Sequence, residues 1–126
     1  MADPKLRILV IDDEAAVRET LCENLVECGF DVTSATDGED AINQLEGKLT
    51  PQLVITDIIM PRREGLETIV EIRKKYPNVK VIAISGGGRT KSTDFLTLAE
   101  KLGADAVLEK PIDLDELERV VRKVTQ

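Results

Sequence analysis

The stretch LRILVI at residues 6–11, followed at once by DDE at residues 12–14, decides the fold class of this chain. The run is short, rich in β-branched residues and almost entirely apolar, which is typical of a strand covered on both faces of a sheet. A helical spacing of apolar residues begins after the acidic residues. The stretch therefore predicts a buried strand that ends in a cluster of carboxylates.

The same alternation of a short apolar run and a helical stripe recurs along the whole chain. The second run is the most polar of the five, which favours an edge position in the sheet. The predicted strands are Leu6–Ile11, Asp31–Ala35, Leu53–Thr56, Val79–Ile84 and Asp105–Leu108.

Between these strands, apolar residues recur every three or four positions, as on the buried face of a helix. Gly29, Gly47 and Gly103 act as stops, and Pro77 ends the third helix near Tyr76. The last helix begins with a capping-box pattern, Asp113 and Glu116. The five stripes are Val17, Leu21, Leu25, Cys28; Ile42, Leu45; Leu66, Ile69, Val70, Ile72; Phe95, Leu98, Ala99, Leu102; and Leu114, Leu117, Val121, Val124.

This order predicts an α/β fold of the (βα)₅ kind, with a doubly wound parallel five-stranded sheet and right-handed crossovers. With 126 residues the chain is expected to form one domain over residues 1–126, with a short N-terminal tail at residues 1–5. In such sheets ligands bind beyond the carboxyl ends of the strands. The functional site is therefore expected at that edge.

Composition narrows the classes of function. The net charge of −7 disfavours a nucleic-acid surface, which needs clustered Lys and Arg. The absence of a long apolar segment or a hydrophobic leader predicts a cytoplasmic protein with no membrane contact. The absence of histidine excludes His-based zinc sites and Ser-His or Cys-His nucleophiles within this chain. Cys22 and Cys28 are expected to be free thiols, because about 9 Å of helical rise separates them.

Polar residues that could bind a ligand or take part in a reaction follow four of the predicted strands. Asp12 and Asp13 follow the first, Asp57 the third, Ser85 the fourth and Lys110 the fifth. Taken singly, each has an ordinary structural use as a helix cap, a turn residue or a solvated charge. Taken together they form a cluster that remains net negative, since two carboxylates about 4 Å apart repel by about 4 kcal/mol at an effective dielectric of 20. A hard divalent cation, Mg²⁺ with Mn²⁺ as a substitute, resolves this repulsion.

Such a cluster also suits phosphoryl transfer, in which a cation neutralises phosphate oxygens beside a carboxylate nucleophile. Several motifs of this chain resemble those of the receiver domain of bacterial two-component response regulators. The resemblance covers nearly the whole chain and rests on IDDE at 11–14, DG at 37–38, DIIMP at 57–61 with Gly65, AIS at 83–85 and GAD…EKP at 103–111.

The resemblance implies a flavodoxin-like sheet of strand order 2-1-3-4-5 and a role for each site residue. Asp57 is implied as the phosphoacceptor, with Lys110 and Ser85 contacting the phosphoryl oxygens. Asp12, Asp13, Asp57 and the backbone carbonyl of Ile59 are implied as the Mg²⁺ ligands. The peptide bond before Pro111 is implied to be cis.

The implied function is a phosphorylation-switched signalling module and not a turnover enzyme. Its partners would be a sensor histidine kinase or histidine phosphotransfer protein and a downstream protein target, without an output domain of its own. Three alternatives stay open: a degenerate receiver that only binds partners, an aspartate-nucleophile phosphatase, and a flavin-binding electron carrier on the same fold. The last two fit less well, because the chain lacks an Asp-x-Asp after its first strand and has few aromatic residues.

Two features of the sequence depart from the family pattern. Val107 stands where receivers usually carry the Tyr or Phe of a rotamer switch, and valine is too short and too stiff at χ1 to replace it. Three glycines at 86–88 follow Ser85 and predict a mobile loop. We therefore expect signalling to work mainly by ordering residues 86–92 when Ser85 engages phosphate.

Overall fold

The computed structural model describes residues 5–47, 50–58, 65–85, 97, 100–101 and 103–126, which contain five strands and four helices. The strands are β1 Arg7–Ile11, β2 Asp31–Ala35, β3 Leu53–Asp57, β4 Lys80–Ser85 and β5 Ala106–Glu109. The helices are α1 Ala15–Glu27, α2 Gly38–Leu45, α3 Gly65–Lys75 and α4 Leu114–Thr125.

All five strands pair in parallel in the order β2-β1-β3-β4-β5. The predicted fold class and strand order are therefore confirmed, and the polar second strand does lie at an edge. The observed strands differ from the predicted ones by one residue at several ends. Strands β3, β4 and β5 end one residue later than predicted, because Asp57 pairs with Ile84 and Ser85 pairs with Glu109 at the carboxyl edge of the ladder. Strands β1, β4 and β5 also begin one residue later than predicted.

Helices cover both faces of the sheet, and each face has its own aliphatic core. Helices α1 and α4 bury Leu21, Leu25, Leu117 and Val121 against one face. Helices α2 and α3 bury residues such as Ile42 and Ile72 against the other face. Val70, a member of the predicted third stripe, is instead 43% exposed, since its neighbours Ile69 and Ile72 already fill the buried face of α3.

The helix ends follow the local chemistry of the sequence. The Asp37 carboxylate accepts a hydrogen bond from the Asp40 amide at the start of α2. The Asp113 carboxylate does the same for the amides of Asp115 and Glu116 in α4, as the capping pattern predicted. Gly29 has a φ of +97° after α1, a left-handed conformation that glycine adopts without strain.

Several other predictions can be compared with the structure. The peptide bond between Lys110 and Pro111 is cis, and both cysteines are free, as predicted. Of the predicted helix over 95–102, the described residues 97, 100 and 101 are helical. The glycines at 86–88 and the proposed loop 86–92 lie outside the described residues. Within the described part of the chain, no helix combines the length and apolar character needed to cross a membrane.

Candidate phosphoacceptor and metal site

The carboxyl edge of the sheet brings together polar side chains that are far apart in the sequence. Asp12 follows β1, Asp57 and Ser85 end β3 and β4, and Lys110 follows β5. The parallel register aligns these ends, with Ile11 beside Thr56, Asp57 beside Ile84 and Ser85 beside Glu109. The convergence predicted from the topology is therefore observed.

Asp57 and Asp12 are carboxylates buried within this edge. Asp57 is 4% exposed and Asp12 is 1% exposed. Burying a carboxylate is costly unless a cation or hydrogen-bond donors compensate the lost hydration. The two residues therefore need a positive group close by.

Lys110 supplies that positive group. Its Nζ lies 2.8 Å from Asp57 Oδ2, 3.0 Å from Glu14 Oε1 and 3.2 Å from Asp12 Oδ2. Burial lowers the pKa of Lys110, but the hydrogen bonds to Asp57 and Glu14 outweigh it and raise that pKa above its ordinary value. The ammonium is therefore charged throughout the neutral pH range.

One ammonium does not compensate the cluster completely. Burial raises the pKa of Asp12, and the neighbouring Asp57 charge adds to the effect, against the Glu14 amide and Lys110, which lower it. Asp12 Oδ1 accepts a hydrogen bond from the Glu14 amide at 2.9 Å. Asp12 Oδ2 is buried and, despite the nearby ammonium, accepts no hydrogen bond of good geometry from any described residue. That oxygen therefore has an unused coordination position.

The acidic cluster has the composition of a divalent-cation site. One carboxylate oxygen from each of Asp12, Asp13 and Asp57 lies within 4.8 Å of the others. Asp12 and Asp57 are buried while Asp13 is exposed, so the cluster opens toward solvent on one side. Oxygen-only ligands with room for water are what Mg²⁺ prefers. The residues present thus fit such an ion; Ile59, the other expected ligand, lies outside the described residues.

Ser85 is fully buried at the end of β4. Its backbone carbonyl accepts a hydrogen bond from the Lys110 amide at 2.8 Å, so the chain at Ser85 also fixes the start of the loop that carries Lys110. The backbone next to Asp57 is held similarly, since the Ile58 amide donates to the Ile84 carbonyl at 2.9 Å. These bonds make the central part of the site a direct extension of the sheet.

Two features beside the site were not assigned a role from the sequence. Glu14 belongs to the acidic run after β1. Because its contact partner Lys110 is 96 residues away, no local sequence pattern indicates the contact. A groove of about 390 Å³ opens beside Glu14 and Lys110. Its other lining residues are mainly apolar: Ala16, Val17, Thr20, Leu21, Pro111, Ile112 and Leu114.

Val107, the residue at the usual aromatic switch position, is half-buried in β5. It packs against the aliphatic core formed under α2 and α3, together with Tyr76 and Ala104. A short β-branched side chain held in this way has a single favoured χ1 state. Position 107 therefore holds no aromatic ring that could swing between exposed and buried states.

Comparison with known families gives a match over most of the chain. The family model for the response regulator receiver domain matches residues 8–122. A curated relative, "Probable transcriptional regulator ycf27" of Porphyridium aerugineum, is 39% identical over 122 residues, which is 95% of this chain and 48% of the relative. The chain spans about half the length of the curated relatives that it matches.

Solved structures give the same result at the level of the fold. The receiver domain of NtrX from Brucella abortus is 32% identical with a TM-score of 0.87, over 94% of this chain and 97% of that one. A response regulator receiver protein from Pseudomonas putida is 31% identical with a TM-score of 0.86, over 97% of this chain and 99% of that one.

Proposed function

The chain belongs to the response regulator receiver domain family, and on that premise we propose that Asp57 accepts a phosphoryl group from a partner's phosphohistidine. Receiver domains of this family are signalling modules of two-component systems rather than turnover enzymes. The observation that carries the proposal is the buried Asp57 carboxylate, with the Lys110 ammonium 2.8 Å from its Oδ2.

The transfer exchanges one phosphorus bond for another. An Asp57 oxygen attacks the phosphorus in line with the leaving nitrogen, and a phosphorus–oxygen bond forms as the phosphorus–nitrogen bond breaks. The electron pair of the broken bond returns to the imidazole of the donor. Since this chain contains no histidine, the donor is a separate protein or segment.

The site residues support this chemistry by their charges. Lys110 offers an ammonium to the phosphoryl oxygens without losing its contact with Asp57. Asp12, Asp13 and Asp57 would hold Mg²⁺, with the Ile59 carbonyl as a further expected ligand, and the bound ion would neutralise charge on the phosphoryl oxygens. The buried Asp12 Oδ2, which accepts no hydrogen bond of good geometry from a described residue, supports this assignment.

Ser85 supplies the link between chemistry and signal. Its position at the end of β4, one strand away from Asp57, allows a hydroxyl to approach a phosphoryl group on that carboxylate. We expect the contact to order the segment that follows Ser85, and the ordered surface to bind a downstream protein. The phosphohistidine partner is expected to cover the apolar groove beside Lys110, since apolar surface at the rim of a site is favourable to bury on association.

The proposal is tested by incubation with acetyl phosphate and Mg²⁺, followed by intact-mass measurement. We expect one phosphoryl adduct on the wild type and none on Asp57→Asn. Asp31→Asn is the matched control, because it makes the same chemical change at an exposed residue of β2. It should be phosphorylated like the wild type.

Removing the cation provides the second arm of this experiment. With excess EDTA in place of Mg²⁺ the wild-type adduct should be lost, because the phosphoryl oxygens then face an uncompensated acidic cluster. A wild type that remains unmodified in Mg²⁺, or an adduct that persists on Asp57→Asn, would contradict the assignment of Asp57.

A further inference from the structure

Glu14 occupies the N-cap position of α1 but does not cap that helix. Its backbone is extended, with φ of −84° and ψ of 111°, and its side chain makes no capping hydrogen bond. At the start of α2 and α4, by contrast, Asp37 and Asp113 use their carboxylates as caps. The Glu14 carboxylate is therefore available for another contact.

That contact is with the Lys110 ammonium. Glu14 Oε1 accepts a hydrogen bond from Lys110 Nζ at 3.0 Å, while the Glu14 amide donates to Asp12 Oδ1 at 2.9 Å. One residue thus holds Asp12 through its backbone and Lys110 through its side chain. The arrangement links the end of β1 to the loop after β5.

The three carboxylates around Lys110 differ in how easily they can leave it. The side chains of Asp12 and Asp57 are 1% and 5% exposed, whereas that of Glu14 is 62% exposed. The ammonium donates hydrogen bonds to Asp57 and Glu14, whereas Asp12 lies beside it as an ion pair at 3.2 Å. A phosphoryl oxygen that binds the ammonium therefore competes with these carboxylates for it. Glu14 is the one that regains full hydration when it is displaced.

We propose that Glu14 is a positioning residue that draws the Lys110 ammonium toward the rim of the unphosphorylated site and competes with the phosphoryl oxygens for it. The inference rests on the proposed function of Asp57. Glu14 would then limit how fast a phosphodonor engages Lys110, and its release would accompany phosphorylation.

The rate of phosphorylation by acetyl phosphate in saturating Mg²⁺ tests this role. Glu14→Gln weakens the hold on Lys110 while keeping the size of the side chain, so the rate should rise by about 2- to 5-fold, the range of an exposed ion pair. Glu19→Gln, which removes the same charge from an exposed position of α1, should keep the wild-type rate.

A third variant separates positioning from simple repulsion of an anionic donor. Glu14→Asp keeps the negative charge but shortens the side chain by one carbon, so it loses reach to Lys110. We expect it to react faster than the wild type, as Glu14→Gln does. A wild-type rate for Glu14→Asp beside a faster Glu14→Gln would overturn the proposal, and so would equal rates for Glu14→Gln and Glu19→Gln.

The Lys110 ammonium provides a readout that does not need phosphorylation. In a ¹H–¹⁵N spectrum of lysine ammonium groups, the signal missing from Lys110→Arg identifies Lys110. Its hydrogen exchange should be faster in Glu14→Gln than in the wild type and unchanged in Glu19→Gln. If the wild type forms no adduct, the function proposed for Asp57 fails and this spectrum alone decides the role of Glu14. Equal exchange in Glu14→Gln and the wild type would overturn that role.

Discussion

The two ends of the sheet differ in the ratio of positive to negative side chains. At the amino end of the strands, Arg73 is paired with Asp105 at 3.4 Å, one cation with one anion. At the carboxyl end, the single ammonium of Lys110 lies among four acidic residues: Asp12, Asp13, Glu14 and Asp57. Among the described residues, the pair at the amino end is balanced, whereas the carboxyl end carries an excess of negative charge that a bound cation would relieve.

The amino end is built from contacts within the chain. Asp105 Oδ2 accepts a hydrogen bond from the Val81 amide at 2.8 Å, and Arg73 donates to the Val79 carbonyl. Gly103 leaves space for the Arg73 stem: a Cβ there would lie 2.6 Å from Arg73 Cγ. This set ties the end of α3 to the beginnings of β4 and β5. It therefore contributes to the stability of this end of the sheet.

The largest effect is expected for Gly103→Ala. Gly103 has a φ of +116°, which strains any side chain, and the new Cβ would also meet Arg73. Together these should lower the free energy of unfolding by about 2–3 kcal/mol. Urea denaturation of this variant and of Gly29→Ala measures the difference. Gly29 has a φ of +97°, but a Cβ added there would have no atom of the described residues within 4 Å, so its substitution should cost about 1 kcal/mol.

If both glycine variants lost the same stability, the close packing of Gly103 against Arg73 would not contribute to the free energy of unfolding. The amino end would then be held by its hydrogen bonds alone, and the contrast between the two ends would be weaker.

A change from Asp to Asn is expected to have a smaller effect on the free energy of unfolding, with opposite signs at the two ends of the sheet. Asp105→Asn should lower the free energy of unfolding by about 1 kcal/mol, because it weakens the pairing with Arg73. Asp12→Asn, measured in EDTA, should raise it by about 0.5–1 kcal/mol, because burial and the Asp57 charge disfavour the charged form of Asp12. Urea denaturation of both variants checks the signs.

Addition of Mg²⁺ serves as the control for this pair. It should stabilise the wild type and Asp105→Asn alike, while Asp12→Asn, with one ligand fewer, should gain less. A loss of stability in Asp12→Asn without Mg²⁺ would show that the carboxyl end is as balanced as the amino end.

The smallest effect is expected at Glu118. This residue lies in α4 near the end of α1 and, like Asp105, is paired with other groups of the chain. Hydrogen bonds from Arg122, and then from the Cys28 thiol, lower the pKa of Glu118 below its ordinary value of 4.5. A lowered pKa of an acid means that the stabilisation is complete above pH 4.5 and is lost as the pH falls through the folded-state pKa. Glu118→Gln should therefore unfold more easily than the wild type above pH 4.5.

Below the folded-state pKa of Glu118, the Gln variant and the wild type should converge. Thermal unfolding midpoints between pH 3 and pH 7 follow this difference, with the exposed Glu23→Gln as control. A difference that is constant over the whole range would assign the effect to packing and not to charge.

Most of the architecture was predictable because it depends on local patterns. The apolar run at 6–11 and the stops at Gly29 and Gly103 predicted element types and an order that the structure confirms. Strand ends were displaced by up to one residue, since pairing with a neighbouring strand decides where a strand ends. Val70 was wrongly placed on a buried stripe, because only the packed neighbours of α3 determine which side of the helix is covered.

The sequence by itself determined the fold class, the strand order through its family resemblance, and the set of acidic, hydroxyl and ammonium groups at the strand ends. These follow from hydrophobic periodicity and from the rule that parallel strands end at a common edge. Only the tertiary structure decided which carboxylates lose their hydration and which one stays exposed beside Lys110. Burial and charge proximity arise from residues up to 96 positions apart, so the difference between Asp57 and Glu14 is a property of the folded chain.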